Sequence, residues 1–271
     1  TLLTVLSASL ITGEGRFVPF TRVWTFTAAG LGLLAALELL FLGGDDLTGR
    51  AEGFAESPIW LARAIMTGAI LCFWLLIQGS VSPLIAIPII GLDFVGILAT
   101  GSRGPLLGAV IGITIVAIFG IKWSKRRIVA ATVSLGALIA ILVAIAVIYD
   151  SRILRLGLGG ESDAQRREYW SLSWQSLVRD PFGVGFGRWA EATSPTLGLP
   201  LYPHNLFLEA GSELGWFWMM ALVAITAAGA IIAITNLRQT PKSLALLGAF
   251  AAETLQVSIS GDLNARTYFF L

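Results

Sequence analysis

The chain reads as an all-α, polytopic transmembrane helical bundle with one long extramembrane loop, and three observations predict it. Of its 271 residues 56% are hydrophobic and only 13% charged, with a mean hydropathy of +0.81; soluble domains carry roughly 25% charge. The apolar residues gather into runs of about 20, the length at which a helix crosses the hydrocarbon with its backbone hydrogen bonds satisfied. Most of the charges fall in the gaps between those runs.

Taken in order, residues 23–42, 60–79, 83–100, 104–121, 128–149, 214–235 and 243–260 are expected to be complete spans. Thr1 stands at the head of a further apolar run to Ile11, and another run begins at Tyr268, so the chain is expected to be a piece of a longer protein. Two regions are expected: N-terminal transmembrane helices over 1–99, and a region over 100–271 that contains the loop 150–205. Asp93 interrupts an apolar span and is a functional suspect, because acids are rare at membrane depth.

Orientation follows from the rule that short cytoplasmic loops hold the Lys and Arg. Lys122, Lys125, Arg126 and Arg127 form the strongest such loop, and alternation puts Arg16, Arg22, Arg238 and Lys242 on the same side. The turn around Arg103 and the loop 150–205 then face outside. That loop holds Arg152, Arg155, Arg166, Arg167, Arg179 and Arg188, which a long loop tolerates, since long loops translocate largely regardless of charge.

The near balance of 18 basic and 17 acidic residues argues against a nucleic-acid partner. Cys72 is the only cysteine, so the chain can build neither a disulfide framework nor a thiolate metal site. A single histidine among scattered carboxylates is a poor metal site too, and no cofactor is expected.

Within the loop, Ser162 and Gln165 have capping-box spacing, which predicts a helix over 163–178. Its Trp170, Trp174, Leu177 and Val178 form an apolar stripe suited to lying among membrane lipids at headgroup depth. Arg166 and Arg167 crowd its first turn, where the helix dipole is already positive. A bound diphosphate relieves that field through bidentate bonds; equally, the pair can snorkel to lipid phosphates or to Glu161, Asp163 and Glu168. Pro181 stops the helix, and Gly183, Gly185 and Gly187 read as a tight turn, since neither a preceding strand nor a phosphate-loop lysine accompanies them.

His204, the only histidine, precedes Asn205, an N-cap residue for a long helix starting at Leu206. Asn205, Glu209 and Glu213 recur every fourth residue as a polar stripe that faces a bundle interior or a wet cavity. His204 at the mouth of that cavity fits a general base, its ordinary pKa lying near ~6.5. The plain alternative is an interfacial histidine bonded to a carbonyl.

Several residues together resemble the O-antigen ligase and polysaccharide polymerase superfamily of bacterial inner-membrane proteins. They are Thr100-Gly-Ser-Arg103-Gly104 at a span end, Arg166 four residues before Trp170, Pro181 through Gly187, His204-Asn205-Leu-Phe-Leu-Glu209 leading to Glu213, and Gly261-Asp-Leu-Asn264. The resemblance implies a metal-independent glycosyltransferase with a periplasmic active site, a glycan donor on undecaprenyl diphosphate and a lipid or glycan acceptor. By position, His204 matches the catalytic base and Arg103 and Arg166 the diphosphate-binding arginines. Arg167 is grouped with them as their neighbour, and Asn205, Glu209 and Glu213 are expected to support the site. A polymerase shares this donor chemistry. A transporter or flippase built around Asp93, and a lipid-anchored scaffold, are the readings from other classes.

Overall fold

The computed structural model describes residues 16–42, 51, 58–120, 161–193, 202–237 and 241–260. Among them every regular element is a helix, as the composition requires: α1 Phe17–Leu42, α2 Pro58–Ile77, α3 Pro83–Ala99, α4 Arg103–Gly120, α5 Glu161–Arg179, α6 Trp189–Thr193, α7 Leu206–Leu214, α8 Trp216–Thr235 and α9 Pro241–Ser260. Five of these are long and apolar enough to cross a membrane, namely α1, α2, α4, α8 and α9, and α3 is a shorter apolar helix. The protein is a multi-pass membrane protein. The expected span 128–149 lies outside the described residues.

The helices form two compact bodies. The first comprises Leu2–Gly157 with Leu237–Ala252, the second Leu158–Asn236 with Glu253–Leu271, so the final turns of α9 belong to the second.

In the first body α2 is the central helix. It buries Ile65, Met66, Ile70, Trp74 and Leu75 against Phe94 and Ile97 of α3 and Ala109 and Val116 of α4. Phe17 meets Trp74 edge to face at 5.3 Å. Lipid tails are as apolar as leucine, so helices in a bilayer associate by close packing, which small residues allow. A Cβ on Gly96 would run into Gly32, and one on Gly68 into Ala28. Asp93 sits at this crossing, fully buried, and neither carboxylate oxygen has a hydrogen-bond partner among the described residues.

The second body is built on α5 and α7. The sequence places an apolar stripe on Trp170, Trp174, Leu177 and Val178, but the face that packs is rotated: Tyr169, Ser173, Ser176 and Leu177 are buried, while Trp174 and Val178 are exposed. Close approach explains the rotation. A Cβ on Gly211 of α7 would stand 3.0 Å from Leu177, a spacing that small serines on α5 suit better than tryptophans. The capping box is also corrected, because α5 starts at Glu161 and so contains Ser162, while Gln165 Nε2 donates to the Tyr169 hydroxyl at 2.6 Å.

The long helix expected from Leu206 is two helices. It breaks at Gly215, where φ is 93° and a Cβ would press on Pro181 O and the Phe182 backbone. The α8 span therefore begins at Trp216, whose N–H donates to Pro181 O at 3.1 Å. Trp174 meets Trp216 edge to face at 5.3 Å, which ties the exposed side of α5 to the first residue of a span.

Candidate functional site

Three glycines with left-handed backbone shape the turn after α5: Gly183 at φ 84°, Gly185 at 106° and Gly187 at 72°. The turn folds onto the end of α7, where Val184 N–H donates to Ser212 O and Gly185 N–H to Glu213 O, each at 2.9 Å. A Cβ on Gly183 would collide with Glu213 O, so the approach requires glycine twice over, for φ and for space.

Glu213 closes this arrangement with its side chain. Oε2 accepts from Gly187 N–H at 2.8 Å and Oε1 from Trp189 N–H at 3.2 Å. The expected polar stripe on α7 is real in that Glu209 and Glu213 are both buried. Through these two backbone N–H groups the Glu213 carboxylate serves as a clasp on the turn and on the start of α6.

Asn205 caps α7 as expected. Its Oδ1 accepts from Phe207 N–H at 3.0 Å and Leu208 N–H at 3.1 Å. The cap fixes the chain just before the helix, and there His204 adopts φ 56°, the only positive φ outside glycine among the described residues. Such a conformation costs of order 1 kcal/mol in an L-residue and has to be held by its surroundings.

Aromatic rings do the holding. The His204 imidazole lies parallel to Tyr169 at 6.5 Å and against Tyr202 at 4.1 Å. Tyr169 in turn meets Trp189 edge to face at 5.4 Å. Because Glu213 pins the Trp189 backbone, a continuous path runs from the clasp through Trp189 and Tyr169 to the imidazole. His204 Nδ1 is buried with no hydrogen-bond partner among the described residues, so neither a carboxylate nor a carbonyl fixes its tautomer there.

Burial, and then the positive charge of Arg166, push the His204 pKa from 6.5 down to about 4. Both causes disfavour the imidazolium, so the ring is neutral throughout the physiological range. The second cause also shows that the structure brings Arg166 and His204, 38 residues apart in sequence (204 − 166), within electrostatic reach. Arg166 is half-buried, whereas Arg167, the next residue on α5, is exposed.

Arg103 opens α4 in the first body. The tight turn before it is held by Thr100, whose hydroxyl donates to Ile97 O at 2.7 Å and accepts from Ser102 N–H at 3.3 Å, with Gly101 at φ 62°. This is a built corner at a span end, as the sequence predicts.

The profile of the O-antigen ligase family matches residues 88–223, just over half of the chain, from within α3 to within α8. The chain belongs to that family. No curated protein shows significant similarity to it. Membership makes the chain a ligase- or polymerase-type glycosyl-transfer enzyme of polysaccharide biosynthesis, working in the membrane on lipid-linked glycans. Arg103, Arg166, Arg167, His204, Asn205, Glu209 and Glu213 all fall inside the matched region.

The sequence reading passed over several side chains. Tyr169 and Trp189, which frame His204, look like ordinary aromatics in sequence. Arg63 in α2 and Glu253 and Gln256 in α9 are buried polar groups within spans. The rule that singled out Asp93 was enough to find them.

Proposed function

We propose that this protein moves a glycan from undecaprenyl diphosphate to an acceptor hydroxyl at the periplasmic face of the bacterial inner membrane. The observation that carries the reading is a neutral imidazole standing within the field of Arg166, on left-handed backbone just before the Asn205 cap. In the proposed reaction the acceptor oxygen attacks the anomeric carbon and forms the new glycosidic bond. The bond from that carbon to the diphosphate oxygen breaks, and undecaprenyl diphosphate leaves with the electron pair. His204 takes the acceptor proton, a contribution of roughly 100- to 10,000-fold.

Arg166 and Arg103 bind the diphosphate and stabilise its growing charge, with Arg167 adding to the positive field. A donor fixed in a poorly hydrated site gains roughly 3 to 4 kcal/mol in this role. The donor also tunes the base. An anion on Arg166 offsets the cationic part of the depression of His204, so the imidazole becomes more basic when the donor is bound. Asn205, Glu209 and Glu213 support the site by fixing the backbone around the imidazole.

The test supplies a defined undecaprenyl-diphosphate glycan and candidate acceptors to the purified full-length protein and identifies the product by mass. A single addition to a lipid or protein acceptor marks a ligase; a ladder of repeat units marks a polymerase. His204→Ala, Arg166→Ala and Arg103→Ala are expected to abolish the product, while Arg155→Ala and Arg188→Ala have small effects. Equal losses at all four arginines would replace a diphosphate clamp with general loop charge. Loss of activity in EDTA that added metal restores would overturn the metal-independent mechanism.

A further inference from the structure

The α8 span buries only Met219 and Leu222 among the described residues, so most of its surface is open to lipid. It starts at Trp216, and Phe217 and Trp218 beside it are exposed. Aromatic side chains gather where a span meets water, which puts the start of α8 at the membrane–water boundary.

Two elements outside the span reach that same level. Trp174 of α5 meets Trp216 edge to face at 5.3 Å, and the backbone of Phe182, in the turn after α5, lies against Gly215. Their outward faces are apolar: Trp174 and Val178 are exposed on α5, and Phe182 and Phe186 on the turn. This differs from the stripe that the sequence marks, since Leu177 is buried and the two phenylalanines of the turn are added. Phe182 is 95% exposed, so its ring touches almost nothing of its own chain. Exposed apolar clusters of this kind mark interaction surfaces.

Shape and surroundings select the partner. A ring that projects so far enters its partner, whereas a groove for a single hydrocarbon tail would cover the ring on two sides. The patch adjoins the first turn of a span whose surface faces lipid. Its edge is polar, because Arg179 and Asp180, between Val178 and Phe182 in sequence, form an exposed ion pair at 2.7 Å. Ions are expensive in hydrocarbon, so that pair limits the depth to the headgroup region. We infer that Trp174, Val178, Phe182 and Phe186 insert into the headgroup–acyl boundary of the bilayer beside the start of α8, and that the glycine turn is a membrane anchor as well as a support for the site. Glu213 clasps this turn, and Trp189 and Tyr169 link the clasp to His204, so the anchor sets the height of the imidazole over the bilayer. In the glycan-transfer reading that is the height of a diphosphate on a lipid tail; the insertion itself does not depend on that reading.

The test attaches an environment-sensitive fluorophore to Phe182→Cys and, separately, to Val178→Cys in full-length protein in lipid nanodiscs. Glu191→Cys is the control, since Glu191 pairs with Arg188 on an exposed surface. Cys72 is buried, and the unsubstituted protein gives the background labelling. Lipids with a nitroxide just below the headgroup are expected to quench the labels at 178 and 182 at least ~2-fold more than lipids with one near the chain end, as insertion by ~5–10 Å requires. Aqueous iodide quenches both labels less than it quenches the one at 191. Iodide quenching at 178 and 182 equal to that at 191 would overturn the inference. So would labels shielded from both quenchers, which would put protein, such as a second copy of the chain, on this face. The labels need no turnover, so a protein that transfers no glycan, which defeats the functional reading, still gives a result here.

Discussion

Removing the charge of Arg166 by Arg166→Gln is expected to make His204 easier to protonate. Burial and the Arg166 charge hold the imidazole at about 4 against its ordinary 6.5, and burial is the larger of the two causes. Arg166 is the smaller cause, so the substitution raises the pKa only part of the way back to the ordinary value. The chain has a single histidine, so an imidazole-labelled sample free of histidine tags gives one titrating signal by NMR in nanodiscs. Arg166→Lys keeps the charge and leaves the midpoint near 4, and inorganic pyrophosphate shifts the wild type in the same direction as Arg166→Gln. The linkage has a definite sign. Between about 6.5 and 4 the unfolded chain binds the proton and the folded one does not, so stability is lost as pH falls through that window and levels off below it. A wild-type midpoint near 6.5, or one that Arg166→Gln does not move, would refute the pairing of these residues.

Glu213→Ala leaves the Gly187 and Trp189 N–H groups without their carboxylate, and is expected to cost ~2–5 kcal/mol in thermal or denaturant unfolding; Glu213→Gln keeps one acceptor oxygen and loses about half of that. Asn205→Ala removes the cap of α7 and costs ~1 kcal/mol by the same measurement, with a larger effect on transfer rate because His204 is the neighbouring residue. Gly183→Ala cannot be accommodated at φ 84° against Glu213 O, so it is expected to disturb the turn and lower the yield of folded protein, as size-exclusion profiles in detergent report. His204→Gly relieves a left-handed residue and so leaves the melting temperature unchanged or higher while transfer is lost.

The helices were legible because membrane burial writes itself into composition. A run such as 216–235 can satisfy its backbone in lipid only as a helix, and α8 begins within two residues of the expected start. The Asn205 cap was legible for a similar local reason, since a short polar side chain before an apolar run has one obvious use. The break at Gly215 was not. Glycine is common in spans, and only the Pro181 turn, pressed against that residue from the far side of α7, demands the positive φ. The rotated face of α5 was hidden likewise: hydrophobicity selects Trp174, but the narrow gap to Gly211 selects Ser173 and Ser176.

The clasp exposes a different limit of sequence reading. Glu213 lies 26 residues from Gly187 and 24 from Trp189, and it holds both through backbone N–H groups, which carry no residue-type signal. In sequence a buried glutamate near a histidine suggests an acid that orients a base. Here the glutamate orients the scaffold, and the imidazole is left with rings on its flanks and an unmatched Nδ1. Stacking fixes the plane of the imidazole and leaves its buried Nδ1 unmatched among the described residues. An anion on Arg166 offsets only the smaller, cationic cause of the depressed basicity of His204, while burial remains. In the proposed reaction donor occupancy therefore strengthens the base by part of what the site takes away, and the acceptor meets its most basic partner when the donor is already bound.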